Sequence, residues 1–327
     1  MPLAVICREV GPPERLALED VPRRPLGPGE LRIRHRAAGV NFPDILMCAG
    51  GYQHKPPLPF TPGFEAAGEV IEAAPDVTQF KVGDPAMVHF RTGGYAEESV
   101  VPLAGAMPMP AGLDFAEAAT FVTANVTAYG ALVQRGQLKP GEVLLVLGAA
   151  GGVGLAAVEM GKLLGATVIA AASSPQKRAV AKSRGADHVI AAEADDLRPQ
   201  LRDILGERGV DMVYDPVGGD LFEPALRALA WDGRYLIVGF ASGTIPSFRA
   251  NLALLKGARV MGVRAGEMVR RDPSLYEPRV KQLYGWAAQG HLKPHIGHRF
   301  PLAEFRAAME TVSGRRALGR VVITMND

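Results

Sequence analysis

From about residue 115 onwards, short apolar runs alternate with segments of helical character. Val143–Leu147 is entirely apolar, and residues 153–164, which follow it, predict a helix. The same alternation predicts further strands and helices at residues 167–172, 175–183, 188–190, 197–205, 210–214, 221–230 and 235–239. Continuous apolar strands joined by helices are typical of a parallel sheet that is covered on both faces. This part of the chain therefore predicts a doubly wound α/β domain.

The first 125 residues follow a different pattern, in which short strands are separated by dense turn signals. Strands are predicted at residues 31–35, 68–74 and 83–90, and breakers such as Pro56-Pro57-Leu58-Pro59 stand between them. This pattern is typical of an irregular, mainly-β unit.

Beyond about residue 265 the alternation becomes less regular. A helix at residues 278–289 and a final strand at residues 320–324 are expected to return to the first unit. We therefore expect three segments, residues 1–124, 125–263 and 264–327, of which the first and third form one domain.

A glycine-rich turn joins the apolar strand Val143–Leu147 to the next helix. It reads Gly148-Ala149-Ala150-Gly151-Gly152-Val153-Gly154, and Gly151 and Gly154 fit the second and third positions of the G-x-G-x-x-G pattern, with Ala149 at the first. An ordinary strand-to-helix turn is the alternative. Because the strand, the helix and a following strand are all present, the turn predicts a site where backbone N–H groups and the helix N-terminus bind the phosphates of a dinucleotide.

The end of the second strand indicates which dinucleotide is bound. NAD sites place Asp or Glu there, whereas residues 170–178 of this chain contain Ser173, Ser174, Lys177 and Arg178 and no acidic residue. A helix cap explains Ser174 and the proline after it. It does not explain two cations near a helix N-terminus, which oppose the helix dipole. A 2′-phosphate would account for them, so we expect NADP(H) rather than NAD(H).

Net charge and cysteine content limit which partners and which cellular location are expected. The chain has 36 Lys and Arg against 34 Asp and Glu, a formal net charge of +2, which argues against nucleic acid or an anionic membrane as a partner. The uncharged stretch 143–158 is short for a membrane span and is interrupted by glycines. Cys7 and Cys48 are too few for a disulfide framework. A cytoplasmic location is expected.

Several separate motifs, taken in their order along the chain, resemble one known family. They lie at residues 38–44, 62–68, 82–84, 93–97, 127–129, 148–154 and 213–219. With these motifs the chain resembles the zinc-free NADPH:quinone oxidoreductase branch of the medium-chain dehydrogenase/reductase superfamily. The resemblance implies a GroES-like catalytic domain formed by residues 1–124 and 264–327. A Rossmann domain that binds NADPH is inserted at residues 125–263.

The positions that hold zinc in other members of the superfamily carry residues that do not bind it. Asn41 stands where zinc-dependent relatives have Cys, and Phe64 stands where they have His. His291, His295 and His298 are spaced by four and three residues, but neighbouring Pro and Gly favour a turn there. We therefore expect no metal site.

Three side chains of the first segment are the catalytic candidates. Asn41 is expected to contact the cofactor and to donate a hydrogen bond to the acceptor; a turn residue before Phe42 is the alternative. Tyr52 is expected to donate a proton or a hydrogen bond, or else to cover the cofactor. Asp44 is expected to orient its neighbours, or only to begin a helix.

The resemblance also implies a wider set of cofactor contacts. Thr127 resembles a family residue next to the nicotinamide, although a helical Thr is commonly structural. The other expected contacts are Gly151, Gly152, Val153, Gly154, Ser173, Ser174, Lys177, Arg178, Val217, Gly239, Phe240, Ala241, Val263, Arg264 and Arg320. Ala191 and Ala192 stand where relatives often have a Tyr near the 2′-phosphate, so a weaker preference for NADPH is expected.

These features predict an NADPH-dependent reductase that transfers hydride to quinones as small, electron-poor acceptors. Reduction of an enone, an alkenal or an enoyl thioester at the same site is the alternative, and Arg264, Arg270 and Arg271 would suit the coenzyme A group of such a thioester. A third hypothesis is a non-catalytic, crystallin-like protein that binds NADPH. Residues 257–263 are expected to form an exposed edge strand through which the chain forms a homodimer.

Overall fold

The computed structural model describes residues Met1–Met325, which form two compact units. The first unit combines Met1–Thr123 with the chain from Lys293 onwards, and the second contains Ala124–Leu292. The sequence predicts divisions after residues 124 and 263, so the second division differs from the expected one. Residues 264–292 remain with the second unit because a buried arginine and a close glycine contact, described below, hold them there.

The N-terminal part of the first unit contains short strands, two short helices and 3₁₀ turns at Pro13–Arg15 and Leu103–Gly105. The strands are β1 (Leu3–Ile6), β2 (Ala17–Asp20), β3 (Glu30–Val40), β4 (Glu65–Ala73), β5 (Pro85–His89), β6 (Glu98–Pro102) and β7 (Ala106–Pro108). The helices are α1 (Phe42–Cys48) and α2 (Phe115–Ala118).

The second unit alternates strands and helices along the chain. Its first residues belong to α3 (Val122–Tyr129), which starts at the end of the first unit and continues into a π-helical turn at Gly130–Arg135. The alternating elements are β8 (Val143–Leu147), α4 (Gly152–Leu163), β9 (Thr167–Ala172), α5 (Pro175–Ser183), β10 (His188–Ala191), α6 (Ala194–Leu205), β11 (Val210–Asp215), α7 (Phe222–Arg227), β12 (Leu229–Ile237), α8 (Asn251–Lys256) and β13 (Arg259–Gly262). Two helices close the unit, α9 (Ala265–Arg271) and α10 (Tyr276–Ala288).

The C-terminal part of the chain returns to the first unit, as the sequence predicts. It contains β14 (Ile296–Pro301), α11 (Phe305–Ser313) and β15 (Arg320–Thr324). The main sheet of this unit has the order β14-β15-β3-β4-β5-β7, and β6 also pairs with β3. The central strand is therefore β3, and its pairing with β15 joins the two ends of the chain.

The register of β3 positions the residues that follow it. Gly39, near its end, pairs with Glu65 at the start of β4. A Cβ at Gly39 would lie 2.6 Å from the Ala119 carbonyl oxygen, so only glycine allows the strand this close to its neighbours. The chain then enters α1 at Asn41, which places the first turn of α1 beside Glu65.

The second unit contains a six-stranded parallel sheet in the order β10-β9-β8-β11-β12-β13. All five residues of β8 are buried, as expected for the central strand of a sheet with helices on both faces. The predicted fold class, a GroES-like mainly-β unit together with a doubly wound Rossmann domain, is confirmed. β13 lies at the edge of the sheet, as the sequence predicts.

One segment of the second unit differs from the sequence-based expectation. Residues 221–230 were expected to be helical, but α7 ends at Arg227 and β12 already begins at Leu229. Leu229 pairs with Val210, and Asp232 has a φ of 60°, which interrupts the strand before Arg234 resumes the pairing. Within residues 1–325, no helix combines the length and the apolar character that a membrane span requires.

Candidate active site

Most of the expected cofactor residues lie along one edge of the six-stranded sheet. Because all neighbouring strands run parallel, their carboxyl ends meet at this edge. The residues follow β8 (Gly151, Gly152, Val153, Gly154), β9 (Ser173, Ser174, Lys177, Arg178), β11 (Val217), β12 (Gly239, Phe240, Ala241) and β13 (Val263, Arg264). The strand order reverses between β8 and β11, and open parallel sheets bind ligands at such a reversal.

Backbone hydrogen bonds join two of these loops to neighbouring strands. The Ala149 N–H donates to the Ala171 carbonyl at 3.1 Å, which joins the glycine-rich turn to β9. The Val263 N–H donates to the Ile237 carbonyl at 2.8 Å, which joins the loop after β13 to β12. Each of these two loops is therefore anchored on the strand beside its own.

The glycines of the turn differ in whether the protein itself requires them. A Cβ at Gly154 would lie 2.2 Å from the Gly148 carbonyl oxygen, so the packing of α4 on the turn excludes any side chain there. A Cβ at Gly151 would come no closer than 3.4 Å to the same oxygen, which is an ordinary contact. Gly151 also has an ordinary φ of −79°. The space beside Gly151 is thus open to a ligand, and the second glycine of a dinucleotide turn serves the close approach of a pyrophosphate.

In the loop after β9, Ser174 and Arg178 form hydrogen bonds with the backbone, whereas the Lys177 ammonium lies near a side chain. Ser174 caps α5, since its hydroxyl accepts the Lys177 N–H at 3.2 Å. The Arg178 guanidinium donates to the Ala172 carbonyl at 3.2 Å, so it stabilises the end of β9. The Lys177 ammonium lies 3.5 Å from the Ser173 hydroxyl. Of the two cations in the prediction, Lys177 is the one better placed to meet a phosphate.

The strand end at β10 depends on a residue that the sequence analysis missed. The Gln200 side chain accepts the Ala191 N–H at 2.8 Å and its amide nitrogen lies 3.3 Å from the Ala191 carbonyl. A glutamine within an amphipathic helix carries no sequence signal for this role.

Besides Asn41, which lies in the first unit, two expected cofactor residues do not follow a strand of the six-stranded sheet. Thr127 is in the middle of α3, partly buried. Arg320 belongs to the other unit, at the start of β15, where its charge acts on Glu65. The structure therefore associates Arg320 with the polar cluster of the first unit.

That polar cluster is built around Asn41 at the start of α1. The Asn41 backbone N–H donates to Asp44 Oδ2 at 2.8 Å, and the Asn41 side-chain Nδ2 donates to Glu65 Oε1 at 2.9 Å. The second Glu65 oxygen accepts the Thr123 N–H at 2.8 Å. Both the backbone and the amide of Asn41 are thus held in one orientation.

Asp44 is completely buried and is itself held by a tyrosine. The Tyr95 hydroxyl donates to Asp44 Oδ2 at 2.9 Å. Burial raises the pKa of the Asp44 carboxyl to about 7, although the hydrogen bonds from Asn41 and Tyr95 oppose the shift. Asp44 has no exposed surface, and its contacts are with Asn41 and Tyr95; they fit both expectations for it, orienting its neighbours and beginning α1.

Glu65 and Tyr95 are the members of this cluster whose roles the sequence analysis missed. Glu65 is 2% exposed, and burial raises its pKa while Arg320 opposes the rise. A signal was available, because Glu65 is a charged residue at the start of an Ala- and Gly-rich buried strand. A buried carboxyl of this kind needs hydrogen-bond donors, and the donors here are Asn41 and Thr123.

Tyr52 lies just beyond the end of α1 and contacts Phe64. The two rings meet edge to face, with 5.7 Å between their centroids and 81° between their planes. Phe64 directly precedes Glu65, so the chain links the aromatic pair to the residue that holds Asn41. Within the described residues, no three His, Cys, Asp or Glu side chains lie close enough together to bind a metal ion.

Family models match both units. A model described as "Alcohol dehydrogenase GroES-like domain" matches residues 27–111, and one described as "Zinc-binding dehydrogenase" matches residues 152–280. The chain is 36% identical over 323 residues to "Quinone oxidoreductase-like protein 2" of Rattus norvegicus, which covers 98% of this chain and 92% of the relative. It is 33% identical over 316 residues to the "Quinone oxidoreductase" of Pseudomonas aeruginosa, with 96% of each chain covered.

The chain belongs to the quinone oxidoreductase branch of the medium-chain dehydrogenase/reductase superfamily. It is an oxidoreductase of this superfamily with a nicotinamide-cofactor-binding fold. Solved structures agree. A Pseudomonas syringae quinone oxidoreductase is 30% identical with a TM-score of 0.89, covering 99% of this chain and 100% of its own. A mycobacterial protein in complex with NADPH has the same identity, TM-score and coverage. The family resemblance inferred from the motifs is confirmed.

An added Cβ would meet an ordinary contact at Gly151 and an overlap at Gly154, and this difference gives a testable prediction. Gly151→Ala is expected to keep the free energy of unfolding within about 1 kcal/mol of the wild type, because the new Cβ meets only an ordinary contact. It is expected to weaken NADPH binding at least tenfold, because the Cβ fills the space beside the turn. Urea unfolding without nucleotide and a fluorescence titration measure the two quantities.

Gly154→Ala is the matched control. Its Cβ overlaps the Gly148 carbonyl, so it is expected to lose about 2 kcal/mol of unfolding free energy. Unchanged NADPH affinity in Gly151→Ala would show that the space beside Gly151 is not a phosphate site.

Proposed function

We propose that this protein is an NADPH-dependent reductase that transfers hydride to quinones without a metal ion. The observation that carries the proposal is the edge formed by the loops after β8 and β9. At this edge the space beside Gly151 is open. Ser173 and Lys177 stand where NAD sites have a carboxylate. The NADPH complex of the mycobacterial neighbour supports the same assignment.

The residues of this edge fit the parts of the cofactor. The turn at residues 151–154 would hold the pyrophosphate through backbone N–H groups at the N-terminus of α4. Ser173 and Lys177 would hold the 2′-phosphate, and the loops after β11, β12 and β13 would hold the nicotinamide half. When bound, NADPH supplies a hydride from C4 of its nicotinamide ring.

Asn41 is the hydrogen-bond donor that the proposal assigns to the acceptor. Reduction of a quinone places negative charge on an oxygen, and a donor fixed in advance stabilises that charge. One N–H of the Asn41 amide is used by Glu65, which leaves the second for the acceptor oxygen. Two electrons arrive with the hydride, and one proton from Tyr52 or water completes the hydroquinone.

Two of the three arginines after β13 share one acidic partner. Arg270 and Arg271 both donate to Glu267, at distances of 2.6 to 2.8 Å. Glu267 balances one of their two positive charges, and of the three arginines considered for a thioester entrance Arg264 is the one outside this ion-pair group. The choice between quinones and thioesters therefore depends on which acceptors the protein reduces.

Lys177→Ala tests the cofactor assignment. The variant is expected to raise the KM for NADPH at least tenfold and to leave the KM for NADH unchanged, because NADH lacks the 2′-phosphate that Lys177 would bind. Steady-state kinetics with both nucleotides measure the effect. The matched control is Lys182→Ala at the far end of α5, where the ammonium donates to the Asp187 carbonyl. Equal effects of Lys177→Ala on both nucleotides would contradict the assignment.

A panel of acceptors tests the reaction. Quinones, enones and enoyl thioesters are offered with NADPH, and loss of NADPH absorbance is followed. Quinones are expected to give the highest kcat/KM, and Asn41→Ala is expected to lower kcat for them about 100-fold. Faster turnover of enoyl thioesters would favour the alternative substrate class. Tight NADPH binding without turnover of any acceptor would favour a non-catalytic role.

We also propose a homodimer formed through β13. The edge strand offers unpaired backbone groups, and Gly262 has an exposed position where a Cβ would meet nothing within 4 Å. Nearby, Trp231 packs over Gly257 at the end of α8, and Leu254 and Leu255 of that helix are 78% and 69% exposed. A strand edge with an apolar border of this kind suits pairing with a second copy.

Light scattering at micromolar concentration is expected to give the mass of two chains. Leu255→Asp is expected to give monomers, because it places a charge in the apolar border. Val82→Asp, at an equally exposed position of the first unit, is the control and is expected to remain dimeric. A monomeric wild type would refute the dimer.

A further inference from the structure

Arg279 is a buried cation that has no acidic partner among residues 1–325. It lies on α10 and is only 2% exposed. Its Nη1 and Nη2 donate to the Ala265 carbonyl at 3.3 and 3.4 Å, and its Nη2 donates to the Gln134 side-chain oxygen at 2.7 Å. Within residues 1–325 it forms no ion pair with a carboxylate. Burial lowers the pKa of its guanidinium, which shows that the charge is poorly solvated.

A buried charge of this kind is weak evidence for stability. Removing a guanidinium from water costs free energy, and hydrogen bonds to neutral acceptors offset only part of this cost. The planar guanidinium does, however, bind several oxygens in fixed directions. The arrangement therefore indicates that Arg279 fixes a position.

The position that it fixes is the beginning of α9. Ala265 is the first residue of this helix and follows directly on Val263 and Arg264. Ala265 also packs against Gly130, where a Cβ would lie only 2.9 Å from the Ala265 Cβ. Arg279 holds the carbonyl and Gly130 limits the side chain, so both the backbone and the side chain of Ala265 are held.

A further hydrogen bond extends this network. Gln134 lies in the π-helical turn after α3, and its Nε2 donates to the Leu275 carbonyl at 2.9 Å. The side chain of Gln134 therefore links the segment before α10 to Arg279. Such π-helical turns occur frequently at functional sites.

The residues just before Ala265 belong to the carboxyl edge of the parallel sheet. The Val263 N–H donates to Ile237 at the end of β12, and Arg264 is exposed beyond it. We propose that Arg279 is a positioning residue for the nicotinamide half of the cofactor site, where it holds Ala265 and thereby fixes Val263 and Arg264. The proposal rests on the proposed NADPH site.

Arg279→Met tests the role with two measurements. Without nucleotide, hydrogen exchange of the amides at residues 263–267 is expected to become at least tenfold faster. The Kd for NADPH is expected to rise about tenfold, while the KM for the acceptor stays within twofold. The matched control is Arg234→Met. Arg234 is also buried, and it donates to the carbonyls of Gly136 and Gln137, away from the carboxyl edge of the sheet; unlike Arg279, it also forms an ion pair with Glu142 at 2.6 Å. It is expected to leave both quantities unchanged.

A second variant keeps the test decisive if Arg279→Met does not fold. Gly130→Ala pushes on the Ala265 side chain and is expected to raise the same exchange rates and the same Kd. Unchanged exchange at residues 263–267, or an unchanged Kd, in the folded variants would overturn the role of Arg279. Failure of the wild type to bind NADPH would instead refute the proposed function, and the exchange comparison would still decide whether Arg279 fixes the segment.

Discussion

The parallel pairing of six strands is the constraint on which the proposed cofactor site depends. In a parallel sheet every strand ends at the same edge. Loops that are far apart in sequence, such as those at Gly151 and Arg264, therefore lie at one edge without needing direct contacts between them. The buried, uncharged β8 makes this possible, because a strand at the centre of the sheet must be covered by helices on both faces. The crossover helices then return each following strand to the same direction. The chemistry of the edge is decided by the few residues after each strand.

Two glycines of the turn differ in whether the packing of the protein requires them. Gly154 serves the fold, since the α4 backbone passes too close to Gly148 for any side chain. Gly151 has room and an ordinary backbone conformation, so the protein's own packing does not account for it. The pattern of glycines in the sequence cannot distinguish these cases, because both look alike until the neighbouring atoms are placed. The contact that a Cβ would make is therefore a stronger indication of a phosphate site than the motif.

The sequence predicts the fold and the sheet edge well, because both follow from local patterns. Apolar runs mark the strands, and Ser174 marks the start of α5. The rest depends on contacts between residues that are distant in sequence. Nothing in the local pattern shows that Arg178 donates to its own strand end, or that Gln200 closes the end of β10. The division of the chain after Leu292 follows from Arg279 and Gly130, whose roles appear only when α9 and α10 are packed.

Buried ionisable residues orient the functional groups in both units. In the first unit, Glu65 and Asp44 hold Asn41 from its side chain and its backbone. In the second, Arg279 holds the start of α9 through the Ala265 carbonyl. An amide donates only along its N–H bonds, so its neighbours must fix the direction in which it points. At Asn41 those neighbours are two buried carboxyl groups, whose removal from water costs stability. If Asn41 is the donor that we propose, the free-energy cost of burying Asp44 and Glu65 is connected with the fixed orientation of this amide.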